Sequence, residues 1–73
     1  MGLEPLNVFQ EALPWFDAIE AERPLYTQSF DSLQMLELGL CVEGAFPEFQ
    51  FDAALVLELS LSQLASLIRA HAK

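Results

Sequence analysis

The chain has 73 residues, 53% of them hydrophobic, with eleven acids against three Lys and Arg and a formal charge of −8. That length bounds it to one small domain, residues 1–73, near the lower limit at which a single apolar core holds a fold unaided. The acidic balance disfavours nucleic acid and anionic membrane as partners and favours basic protein surfaces. One cysteine excludes an internal disulfide, and no apolar run approaches the ~20 residues that cross a bilayer. The expectation is a cytoplasmic monomer.

Glu4-Pro5 suits a helix start, because proline is tolerated at the first helical position and an acid there complements the dipole. Leu6, Phe9, Leu13 and Phe16 follow at helical spacing, with Val8, Ala12, Trp15 and Ile19 as an adjacent stripe. Pro14 removes a backbone donor and crowds the preceding turn, so this first helix either kinks there or ends and restarts. The aromatic cluster Phe9, Trp15 and Phe16 reads as core, with the lining of a ligand cavity as the alternative. From Glu20 to Phe30 the helical period fades and Pro24 imposes an extended residue before it. A long loop follows, pinned to the core by Leu25 and Tyr26.

The stretch Phe30 to Phe46 carries the strongest signal. Met35, Leu38, Val42, Ala45 and Phe46 mark one buried face of a second helix, and Leu33, Leu36 and Leu40 form a second stripe. The second stripe either packs under the long loop or serves as a recognition surface. Ser32 stands in the first turn, where the unpaired N–H groups and the dipole favour an anion. It is either a helix cap or the holder of a phosphate. Gly39 and Gly44 each cost the helix on the order of 1 kcal/mol relative to alanine. Cys41 reads as a small hydrophobe, since no histidine lies near it in sequence.

Pro47 stops the second helix, and Phe49 and Phe51 close the end of the core. Asp52 caps a short third helix through Leu59, with Leu55, Val56 and Leu59 turned inward. Ser60-Leu61-Ser62-Gln63 matches a capping box that opens a last helix with Leu61, Leu64, Leu67 and Ile68 apolar. Arg69, His71 and Lys73 complement the negative end of its dipole. The fold expected is all-α, a small four-helix bundle of three main helices and one short one, with a long first loop. One His, one Cys and no paired carboxylates leave no triad, metal site or acid–base couple to name, so no enzyme is expected.

Asp31-Ser32-Leu33, then Glu37-Leu38, Glu43 and Phe46, with Pro24-Leu25 upstream, resembles the acyl carrier and peptidyl carrier proteins. Those families follow Gly-x-Asp-Ser-Leu with Glu-Leu, an acid and a Phe at the same intervals. Ser29 stands here where they have glycine, and Gly44 replaces an acid common in fatty-acid carriers. The resemblance runs from Pro24 to Ile68. It implies the acyl-carrier type of bundle, with 4′-phosphopantetheine attached to Ser32 by a separate phosphopantetheinyl transferase. Asp31 would support the transferase's metal. The arm would hold acyl, aminoacyl or polyketide groups as thioesters, in fatty acid, polyketide or nonribosomal peptide biosynthesis. Leu33, Leu36 and Leu40, with Glu37 and Glu43, would meet acyl-loading and acyl-processing enzymes through their basic docking surfaces. The alternative is an unmodified adaptor of the same fold, which binds a protein partner through this surface.

Overall fold

In a computed structural model describing residues 4–71, the chain forms four α-helices and two short 3-10 turns, with no strand among the described residues. The helices are α1 (Pro5–Ala12), α2 (Ser32–Ala45), α3 (Ala53–Leu57) and α4 (Leu61–His71). The fold is therefore all-α, a small helical bundle with a long first connection. Its end residue Lys73 lies outside the described residues.

Proline decides the length of α1 at both ends. Pro5 occupies the first helical position, and Pro14 forces the residue before it, Leu13, into an extended conformation (φ −109°, ψ 114°). Of the two expectations at Pro14, the helix ends. Leu13 still donates its N–H to the Phe9 carbonyl at 2.9 Å, and the chain resumes as the 3-10 turn Phe16–Ala18. Trp15, Phe16 and Ile19 thus reach the core from this turn and its flanks, as partly buried neighbours of the core.

The long connection is held by its own side chains and by distant backbone. The Gln28 side chain accepts from the Glu20 N–H and donates to the Glu20 and Arg23 carbonyls. The Leu25 N–H donates to the Leu59 carbonyl and the Ser62 N–H to the Ala21 carbonyl, each at 2.9 Å. Leu25 is fully buried, but Tyr26 is exposed, which corrects the expectation that both pin the loop. They lie in a three-residue 3-10 turn, Leu25–Thr27, whose adjacent side chains project in different directions.

α2 buries Leu38, Gly39 and Val42, and Phe46 closes its end just before Pro47. Gly39 has a packing reason: a Cβ there would lie 3.1 Å from Cε2 of Phe51, so the glycine lets that ring sit on the helix backbone. α3 is shorter than expected, stopping at Leu57. Beyond it Glu58 and Leu59 bond back three residues, to Leu55 and Val56, tightening the last turn toward α4. α4 opens on the expected capping box, with the Gln63 N–H on the Ser60 hydroxyl and the Ser60 N–H on the Gln63 side chain.

The core lies where α1 packs against α2 and α4, around Phe9, Leu38, Val42, Leu61, Leu64 and Ile68. Each such side chain contributes roughly 2 kcal/mol by leaving water. Val56 is the inward residue of α3. Leu55, expected inward, is instead 49% exposed, and Leu67, read only as an apolar residue of the last helix, is 37% exposed. Periodicity marks both as apolar, but a five-residue helix has one inward row, which Val56 fills, and Leu64 and Ile68 fill that of α4.

Candidate functional site

The start of α2 is closed by a reciprocal pair of bonds. Asp31 Oδ1 accepts from the Gln34 N–H at 2.8 Å, and the Asp31 N–H donates to Gln34 Oε1 at 2.9 Å. The cap is therefore Asp31, and Ser32, read from sequence as either a cap or the holder of a phosphate, is not the cap. Ser32 is the first helical residue and is exposed. Among the described residues its hydroxyl makes no hydrogen bond. An oxygen so placed is reachable by an incoming electrophile, and a phosphate on it would meet the positive end of α2.

Two shallow apolar grooves meet at Ser32. One, of about 290 Å³, runs between Phe30, Met35, Ala54 and Leu57, and the other, of about 330 Å³, runs past Leu36, Gly39, Leu40 and Phe51 to Glu43. Leu33, Leu36 and Leu40 are 62%, 58% and 61% exposed. Of their two expected roles, packing beneath the loop is not what the fold does with them, and they form an apolar row along α2. Glu43 is exposed at the far end of that row.

Glu37 stands differently from Glu43. It is half-buried, and its Oε1 accepts from the Trp15 indole N–H at 2.6 Å. The same indole meets Phe30 edge-on, with ring centroids 5.4 Å apart. This link joins the segment after α1 to the residues preceding Ser32. Sequence reading missed it, because residues 22 positions apart are joined by tertiary packing and no spacing rule reports such a pair.

Other chemistry is sparse. Cys41 is half-buried, and burial pushes its thiol above the usual range, which disfavours the reactive thiolate. His71 is exposed, with its ring edge-on to Phe49. Among the described residues no group of three His, Cys, Asp or Glu side chains is placed to hold a metal ion. No helix there is long and apolar enough to cross a membrane. No family model matches the chain, and neither curated proteins nor solved structures supply a match.

Proposed function

We propose that the protein is a carrier on which the Ser32 hydroxyl is esterified to 4′-phosphopantetheine and the terminal thiol of that arm holds acyl, aminoacyl or polyketide groups as thioesters. The observation that carries this reading is the exposed, uncommitted Ser32 oxygen at the first position of a helix that Asp31 already caps. A transferase would join that oxygen to the phosphorus of the pantetheine arm of coenzyme A, breaking the pyrophosphate bond and releasing the adenosine bisphosphate. The hydroxyl proton leaves to a base of the transferase. Asp31 has a second carboxylate oxygen beyond the one that caps the helix, and it is the group for the transferase's metal. Partner enzymes in the cytoplasm then perform the chemistry, meeting Leu33, Leu36 and Leu40 through basic surfaces that complement the −8 chain. A flexible arm on a small body keeps the cargo at high local concentration for each enzyme in turn.

The test is incubation with coenzyme A and a broad-specificity phosphopantetheinyl transferase, read by intact mass. The expected result is a gain of one phosphopantetheinyl group, absent in Ser32→Ala. An unchanged mass beside a control carrier that is modified in the same tube would overturn the assignment. The exposure of Leu33, Leu36 and Leu40 favours one other reading, an adaptor that is never modified. In that case partner binding survives Ser32→Ala and is lost in Leu36→Asp.

A further inference from the structure

Leu55, expected inward, and Leu67 are both exposed, and they contribute to a second surface of mixed polar and apolar character. Together with the half-buried Phe49 and Phe51 they line an open groove of about 1040 Å³, bounded by residues 48–52, α3 and the outer face of α4. Phe51 and Ala53 also border the Ser32 grooves, but Leu55 and Leu67 do not. The charged side chains on its rim are Glu48 and Asp52, with His71 at one end turned edge-on to Phe49, and among the described residues no Lys or Arg lines it. Asp52 is exposed and keeps its place because Oδ1 accepts from the Ala54 and Leu55 N–H groups.

We propose that this groove is a docking site for a basic amphipathic helix of a partner protein, whose apolar face covers Leu55, Leu67 and the two phenylalanines while its Lys or Arg side chains meet Glu48 and Asp52. Apolar side chains at helical spacing on a partner can cover the two leucines and the two half-buried rings together, as in helix-in-groove recognition. The sign of the partner follows from the rim. Two carboxylates beside the groove on a chain of charge −8 attract a cationic helix over long range and repel an acidic one of the same shape. Ser32 itself does not line this groove, although Phe51 and Ala53 are shared with the grooves that meet at Ser32.

The probe is a designed helical peptide of leucine and lysine, compared with its leucine–glutamate counterpart, titrated at near-physiological salt into the full chain and followed by amide shifts in NMR spectra. The leucine–lysine peptide is expected to saturate and to move the amides of Phe51, Leu55 and Leu67. Its affinity should fall about tenfold in the double variant Leu55→Gln, Leu67→Gln, the loss of roughly 1.4 kcal/mol of contact. Because both leucines are exposed, the variant should keep the parent's helical spectrum. Glu48→Lys supplies a second arm, weakening the same peptide without removing apolar contact. Ser32→Ala should bind as the parent does, so failure here is separable from failure of the carrier reading. Equal affinity in parent and double variant, shifts centred on Leu33, Leu36 and Leu40, or preference for the acidic peptide would each overturn the proposal.

Discussion

Glu37 is the residue whose neighbours change its meaning most. As an acid on an exposed helix face it would steer partners, but its oxygen is held by the Trp15 indole and its side chain is half-buried. A hydrogen bond to a charged acceptor contributes more than one between neutral groups, half-exposure of the pair reduces that gain, and an orphaned partner away from water costs its desolvation. Glu37→Ala is therefore expected to destabilise the chain by about 1 kcal/mol, while Glu37→Gln, which keeps an acceptor, should stay within about 0.5 kcal/mol of the parent. Urea unfolding followed through the fluorescence of the one tryptophan measures both. Equal stability of the alanine and glutamine variants would show that the bond contributes nothing. Any steering charge on α2 then rests mainly with Glu43, which has no such tie among the described residues.

At the scale of elements, Asp31 has two candidate duties that substitution separates. Removing a cap of this kind costs about 1 kcal/mol, so Asp31→Ala should lower the unfolding midpoint, whereas Asp31→Asn retains an oxygen for the Gln34 N–H and should leave stability nearly unchanged. If Asp31→Asn is as unstable as Asp31→Ala, the capping account is wrong. If it is stable yet poorly modified by a transferase, the carboxylate has a chemical duty beyond the cap. Much of the architecture was legible because the chain punctuates itself with local signals: Pro5 and Pro14 around α1, Asp52 before α3, and Ser60 with Gln63 before α4. These act within a turn of themselves and survive any tertiary context. Ser32 was legible for the same reason, being fixed by its place at a helix start. The facing of Leu55, Leu67 and Tyr26 was not, since hydrophobicity says that a residue gains by burial and not which neighbour takes the available space. The Trp15–Glu37 bond and the Phe51 ring on Gly39 depend on segments distant in sequence and left no local mark.

At the scale of the whole molecule, which spans 32 × 23 × 20 Å, the two ends of the described chain are joined by Glu4 and Arg69. The Arg69 guanidinium, bonded to Glu4, holds the Glu4 carboxyl below its ordinary value, and Glu4 in turn raises Arg69. A depressed carboxyl stabilises the fold above its unfolded-state value, and that contribution is lost as pH falls through the folded-state value. The raised Arg69 loses its share only far into the alkaline range. Comparing the parent with Arg69→Gln, the stability gap should be widest near neutrality and close with acidification below the ordinary glutamate range. It should also shrink with added salt, because both groups are exposed. A gap constant across the acid titration would refute the linkage. The backbone bonds from Leu25 to Leu59 and from Ser62 to Ala21 have a different reach. They brace the approach to α2 from behind, so the platform carrying Ser32 is bolted to the corner where α3 meets α4. The five-residue α3 thus runs directly into two fixed points, one at Leu59 and one at Ser62, that tie the chain to the connection leading into α2.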